Sequence, residues 1–183
     1  MEFKQLDKKQ FALLRGKWAG LLKKHDHPVY EAEYRQIFDL IESTGCWDGI
    51  KDCVNRPIYN CVIDSHGEEW AIVEVVKSRN GASVWIKMLN MYLSPKIELE
   101  NDTETNTKKR LAVFHAALVG IFELTKGIQG ADTVKVFGRT DALITFLRGM
   151  HDSYSVITTL GTIKGIQVSI EGRWLVFRTN TES

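Results

Sequence analysis

The spacing of apolar residues near the N-terminus predicts two amphipathic helices. Phe3 and Trp18 belong to a stripe of apolar residues that recur every three to five positions, which predicts a helix over residues 3–24. The opposite face of this helix is rich in lysine. Pro28 opens a second predicted helix, and Gly45 is its predicted end.

The middle of the chain has the pattern of a three-strand antiparallel meander. The predicted strands cover residues 58–64, 69–78 and 82–93, and Asn80-Gly81 supplies the tight turn between the second and the third. The third strand is apolar on both faces, which is typical of a strand in the middle of a sheet that is covered on both sides.

The last part of the chain alternates helix and strand patterns. Thr105 or Thr107 is the predicted cap of a long helix. The remaining predicted elements are that helix over 108–126, a short strand over 133–138, a helix from about 141 to 150, and a closing hairpin over 166–178.

These elements predict an α+β protein with a mixed, mostly antiparallel central sheet flanked by helices. The 183 residues suit a single domain over 1–183, with the basic N-terminal helix at 3–24 and a core over about 28–178.

Charge and composition narrow the classes of function. The net charge of +1 conceals a segregation, because residues 1–28 carry +4, residues 29–106 carry −7 and residues 107–183 carry +4. This balance disfavours a nucleic-acid binder and favours charge-driven contact with a partner, including a homodimer. We expect a cytoplasmic protein without a signal peptide or membrane span, whose cysteines (Cys46, Cys53 and Cys61) are reduced thiols.

The order of the predicted elements resembles the fold of the GCN5-related N-acetyltransferases (GNAT). In that family two helices precede strands two to four, a helix follows the splayed fourth strand, and strand five, helix four and a hairpin complete the fold. The resemblance covers roughly residues 21–178. It implies acyl transfer to an amine, with acetyl-CoA or another acyl-CoA as the cofactor.

The resemblance also implies a binding site for that cofactor. The third meander strand would seat the thioester with backbone groups of Leu89, Asn90 and Met91. Family members hold the pyrophosphate with a glycine-rich loop before the central helix. The matching stretch here has no glycine, and Lys108, Lys109 and Arg110 either substitute for that loop or are simply solvated.

The family signature near the fourth helix is altered in this chain. Members have an alanine followed four residues later by the tyrosine that protonates the leaving thiolate. Here Ala142 is followed at that spacing by Phe146, which has no proton to give.

Glu74 is the candidate general base. Alternation places its side chain opposite Val73 and Val75, so it is either an outward-facing residue of a half-buried strand or a functional acid. Asp64 with Glu74 and Lys77 resembles the acidic pattern of metal-dependent nucleases, but two residues separate Glu74 from Lys77 and their side chains oppose each other. We therefore expect no metal site.

The sequence leaves two classes of function open. The first is an acyl-CoA-dependent N-acyltransferase, or a degenerate GNAT-like protein that only binds. The alternative is a non-enzymatic, oligomeric module that binds a protein or a small molecule.

Overall fold

A computed structural model describes residues 1–81, 83–100, 102–159 and 166–179, without the side chains of 80 and 154–159. Its strands are β1 (Glu2–Gln5), β2 (Pro57–Ile63), β3 (Glu69–Asn80), β4 (Ser83–Leu93), β5 (Ala131–Phe137), β6 (Ile166–Glu171) and β7 (Trp174–Thr179). Its helices are α1 (Lys8–Lys24), α2 (Pro28–Thr44), α3 (Pro95–Glu98), α4 (Thr103–Lys126) and α5 (Asp141–Thr159).

The seven strands form one sheet in the order β1-β2-β3-β4-β5-β7-β6. Every neighbouring pair is antiparallel except β4 with β5, which run parallel. The predicted mixed, mostly antiparallel sheet is confirmed, and β4 lies in its middle as its apolar faces indicated.

Helices cover both faces of this sheet. The helices α1 and α2 pack on one face around Trp18, which is fully buried, together with Phe38 and Ile72. The helices α4 and α5 pack on the other face, where Leu118 and Leu147 contact the larger core cluster. This burial of two apolar layers provides the main driving force for the fold.

The predicted start of the first helix is wrong. Residues 2–5 form β1, which pairs with β2, and α1 begins only at Lys8. Asp7 caps α1, because its side chain accepts a hydrogen bond from the backbone of Gln10 and the Gln10 side chain accepts one in return. Phe3 matched the helical spacing, but it packs from β1 against Gly120 of α4.

The central and last helices are also longer than the sequence predicted. Asp102 caps α4 through the backbone N–H of Glu104, so α4 begins at Thr103 and neither Thr105 nor Thr107 is its cap. The last helix continues from Asp141 to Thr159 instead of ending near 150. In the described part of the chain, no helix combines the length and apolar character that crossing a membrane requires.

In the loop between α2 and β2, the prediction of reduced thiols is wrong for two of the three cysteines. Cys46 and Cys53 form a disulfide, with their Cα atoms 6.1 Å apart, whereas Cys61 is a free, buried thiol. The loop returns on itself because the backbone N–H of Cys46 donates to the Pro57 carbonyl at 2.8 Å. The spacing of the cysteines in the sequence did not indicate that the loop folds back to bring Cys46 and Cys53 together.

Candidate functional site

The two central strands diverge at the middle of the sheet. The parallel pairing of β4 with β5 extends to Met88 opposite Val136 and stops there. On the other edge of β4, Asn90 pairs with Glu74 and Met88 with Val75, so Leu89 is an extra residue in β4. Such a bulge bends a strand and increases its twist, which turns the end of β4 away from β5.

A cleft of about 990 Å³ opens where the strands separate. Its floor is the β4 segment from Met88 to Leu93, and within the described residues the part after Met88 has no strand partner on its β5 side. The walls come from α2, α4 and the start of α5, and they are mostly apolar. They include Ile37, Leu40, Leu111, Phe114, Leu143 and Phe146.

Four polar side chains form a connected group beside this cleft. The amide nitrogen of Asn90 donates a hydrogen bond to Glu74 Oε2, and the hydroxyl of Tyr92 lies 3.4 Å from the same oxygen. The Asn90 amide oxygen in turn accepts from the Arg139 guanidinium at 2.9 Å. Asn90, Tyr92 and Arg139 line the cleft, and Glu74 lies behind them.

Glu74 has the orientation that alternation predicted but not the exposure of an outward-facing residue. It shares the sheet face of Ile72 and Tyr59, opposite Val73 and Val75, and that face is covered by α1 and α2. Its residue exposure is only 9%. A carboxylate at this depth requires hydrogen-bond partners, and Asn90 supplies one.

The tyrosines around Glu74 are held in their neutral form. Burial, and then the negative charge of Glu74, raises the pKa of Tyr92 well above its ordinary value. Burial likewise raises the pKa of Tyr59 to about 12, although a hydrogen bond with Thr44 works in the opposite direction. Tyr92 is therefore a hydrogen-bond donor toward Glu74 at neutral pH.

The candidate cofactor-binding residues divide into two groups. Leu89, Asn90 and Met91 lie together on the floor of the cleft. The three cations lie in the second turn of α4, because α4 starts five residues earlier than predicted. Each cation contacts a different partner. Lys108 pairs with Glu104 and Lys109 lies over the Trp70 ring, 4.3 Å from its centre.

Arg110 alone among the three cations reaches the cleft. It lines the wall beside Thr107, and it is held by Glu98 at 2.8 Å and by the Asn106 side chain at 2.7 Å. The structure therefore brings Arg110 together with the floor of the cleft and leaves Lys108 and Lys109 outside it.

The start of α4 is acidic, which decides how well a phosphorylated cofactor fits. Asp102 occupies the N-cap with its own carboxylate, Glu104 lies in the first turn, and Glu98 and Glu100 precede them. These groups already complement the positive end of the helix dipole and would repel a pyrophosphate. The residues fit the uncharged arm of an acyl-CoA in the cleft, but they do not fit its phosphates at this helix end.

Two residues of the site escaped the sequence analysis. Tyr92 follows Asn90 by two positions on β4, so strand alternation already placed both on one face. The sequence therefore contains a signal for Tyr92. Arg139 follows β5 in a loop, and its hydrogen bond to Asn90 joins residues 49 positions apart, so no local pattern in the sequence indicates it.

The fold of this chain is similar to solved structures of acetyltransferases. A GNAT-family acetyltransferase from Staphylococcus aureus MU50 matches with 8% identity over 97% of this chain and 98% of that one, at a TM-score of 0.42. A spermidine N-acetyltransferase chimera from Vibrio cholerae and hSSAT matches with 12% identity, 97% and 93% coverage, and a TM-score of 0.43.

An aminoglycoside 6'-N-acetyltransferase complexed with coenzyme A matches with 12% identity over 97% of this chain and 95% of that one, at a TM-score of 0.37. No protein-family model and no curated protein matches the chain. The order of the elements, the parallel pairing of β4 with β5 and their divergence agree with the predicted architecture. The chain has a GNAT-like fold.

Proposed function

We propose that this chain binds an acyl thioester of the acyl-CoA class in the cleft between β4 and β5. The observation that carries the proposal is the divergence of these strands beyond Met88 and Val136. It leaves the β5-facing edge of Leu89–Met91 without a strand partner in the described chain. An extended ligand with amide groups can form hydrogen bonds along such an edge, as an added strand does.

The chemistry of the walls supports the same class of ligand. Apolar side chains from three helices surround the floor, which suits an acyl chain or a flexible aliphatic arm. Arg110 and Arg139 are the two cations of the lining, and each is already held by another side chain. Recognition therefore rests on the arm and the acyl group more than on the phosphates of the cofactor.

A second candidate function is transfer of the bound acyl group to an amine, and the Tyr92–Glu74 pair favours it. Bound acyl-CoA would supply the activated acyl group. Tyr92 oxygen would accept a proton from the attacking amine while its own proton passes to Glu74 Oε2, because the two oxygens lie 3.4 Å apart. Phe146, 37% exposed in the cleft wall, offers no proton to a leaving thiolate.

Titration calorimetry with acetyl-CoA up to millimolar concentration tests the binding proposal. We expect saturable binding of one ligand per chain. The triple variant Lys108→Ala, Lys109→Ala, Arg110→Ala should lose little affinity, because Lys108 and Lys109 lie outside the cleft and Arg110 is already paired with Glu98. Absence of binding by the unaltered chain would contradict the proposal and favour a binding module for another small molecule or for a protein.

The transfer candidate is tested separately by thiol release from acetyl-CoA in the presence of a panel of amines. Glu74→Gln and Tyr92→Phe should each lower kcat by about 10²–10⁴-fold with little change in KM for the thioester. Thioester binding without turnover in the unaltered chain would identify a protein that binds only. Equal turnover in the variants would remove Glu74 and Tyr92 from the mechanism.

The homodimer and the cytoplasmic location remain predictions from the sequence. A homodimer held by the segregated charges should dissociate as salt is increased, since screening weakens contacts between exposed charges. Size-exclusion chromatography over a salt series measures this directly.

A further inference from the structure

The disulfide-bearing loop between α2 and β2 brings three candidate metal ligands to one place. The sulfur atoms of Cys46 and Cys53 and a carboxylate oxygen of Asp48 all lie within 4.8 Å of one another. Cys46 is 4% exposed and Cys53 is 1% exposed, whereas Asp48 is at the surface. The group is therefore enclosed by protein on the sulfur side and open to solvent on the carboxylate side.

Besides the disulfide, three hydrogen bonds to strands β1 and β3 hold this loop in place. The Gln5 side chain of β1 donates to the Asp48 carbonyl at 2.7 Å. On the far side, the Lys77 ammonium donates to the Lys51 carbonyl, and the Asn55 N–H donates to the Lys77 carbonyl at 2.8 Å. These bonds anchor the loop to both neighbouring strands, so we expect its path to persist after reduction.

The three ligands, two thiolates and one carboxylate, suit a borderline-soft divalent cation. Zn²⁺ accepts thiolate and carboxylate ligands in tetrahedral geometry, with bonds of about 2.0–2.3 Å that place neighbouring ligand atoms roughly 3.3–3.8 Å apart. Once reduction breaks the S–S bond, the two sulfur atoms have to move apart to that spacing, and the Asp48 carboxylate oxygen already lies within 4.8 Å of both. The Asp48 carboxylate has no hydrogen bond or ion pair within the described residues, so it is available as a ligand.

We propose that the reduced chain binds one Zn²⁺ through Cys46, Cys53 and Asp48, with water in the fourth position. A dithiol or phosphine reductant supplies two electrons, and with two protons the disulfide becomes two thiols. Zn²⁺ then displaces both thiol protons as the two Zn–S bonds form. The disulfide leaves no thiolate to bind, so the oxidised chain is closed to the metal. This site is independent of the cleft between β4 and β5.

Metal binding is measured on the whole chain, anaerobically, in its reduced and oxidised forms. Co²⁺ is the spectroscopic probe, because thiolate coordination gives a charge-transfer band, and native mass spectrometry counts bound Zn²⁺. We expect one ion per reduced chain and none per oxidised chain. Zn²⁺ should also protect Cys46 and Cys53 from alkylation in peptide maps, a readout that needs no variant.

Cys46→Ser and Cys53→Ser should each abolish the Co²⁺ charge-transfer band, and Asp48→Asn should weaken Zn²⁺ affinity at least tenfold. Cys61→Ser is the matched control, since Cys61 is buried away from the loop, and it should bind as the unaltered chain does. The proposal is overturned if the reduced unaltered chain binds no Zn²⁺, or if alkylation of Cys46 and Cys53 is equally fast with and without Zn²⁺.

Discussion

Asn90 donates a hydrogen bond from β4 to Glu74 on β3 at the place where β4 carries an extra residue. The bulge at Leu89 sets Asn90 on the same sheet face as Glu74 while Met88 stays with Val75 on the other. The same amide accepts from Arg139, so a buried acid is connected to the cleft through one side chain.

Removal of this amide should destabilise the protein. Within the described residues, Asn90→Ala leaves the Glu74 side chain with only the 3.4 Å contact to Tyr92, and an under-solvated buried carboxylate costs about 1–3 kcal/mol. We expect a loss of that size in the free energy of unfolding, measured by urea denaturation. Arg139→Ala is the matched control, because Arg139 is exposed and its loss leaves the bond from Asn90 to Glu74 intact.

The wall residue Phe146 provides a gain-of-function test. Phe146→Tyr restores a phenol at the position where the resemblance expects one, in a side chain that already lines the cleft. If leaving-group protonation limits acyl transfer, kcat should rise by at least tenfold with KM for the thioester unchanged, as measured by thiol release. An unchanged kcat in an active enzyme would show that another step limits the rate.

The contact between Phe3 and Gly120 should be sensitive to a single methyl group. A Cβ added at Gly120 would lie 2.2 Å from the Phe3 side chain, so Gly120→Ala must displace β1 from α4. We expect a loss of about 1–3 kcal/mol in the free energy of unfolding. Gly16→Ala is the control, because nothing lies within 4 Å of its added Cβ, and it should stabilise α1 by up to about 1 kcal/mol.

The Phe3→Ala and Gly120→Ala double variant decides whether the clash is the cause. If it is, Gly120→Ala should cost less in the Phe3→Ala background than in the unaltered chain. Equal costs in both backgrounds would mean that Gly120 acts through the helix itself.

Buried tyrosines and the free cysteine predict a loss of stability in alkali. Burial raises the pKa of Tyr59 from 10.0 to about 12 and that of Cys61 from 9.0 to about 12, so both groups lose their protons more easily in the unfolded chain. The contribution of these two protonated groups to the free energy of unfolding is complete below pH 9. It is lost progressively as the pH rises from 9 to about 12.

The measurement is the free energy of unfolding across that pH window, in which a single such group contributes a slope of up to about 1.4 kcal/mol per pH unit. Tyr59→Phe should flatten the profile above pH 10. A free energy of unfolding that stays constant from pH 9 to 12 would contradict the burial of Tyr59 and Cys61.

Elements that depend on neighbouring residues could be predicted from the sequence, whereas elements that depend on long-range contacts could not. The hairpin between β3 and β4 and the apolar β4 are local patterns, and the structure confirms both, although Asn80 is itself a strand residue paired with Ser83 and residue 82 of the turn lies outside the described residues. The identity of β1 was missed because Phe3 fits a helical stripe equally well, and only the contact with Gly120 selects a strand there.

The candidate site shows the same limit. Leu89, Asn90 and Met91 were predicted from strand order combined with a resemblance, and the three residues lie together in the cleft. The burial of Glu74 depends on helices α1 and α2 crossing its face, and the Cys46–Cys53 disulfide depends on the return of a loop. Neither long-range event leaves a periodic signal in the sequence.

The most direct test of the central claim is calorimetric titration of a variant in which the cleft is filled. Leu143→Trp adds bulk to a wall residue, and Leu13→Trp makes the same change on the exposed face of α1, where the side chain is 68% exposed. We predict that both the unaltered chain and Leu13→Trp bind acetyl-CoA and acetyl-pantetheine. For each protein the affinities for the two ligands should agree within about tenfold, since the start of α4 does not bind the phosphates of acetyl-CoA. Leu143→Trp should lose both ligands. Undiminished binding of acetyl-CoA by folded Leu143→Trp would contradict the account.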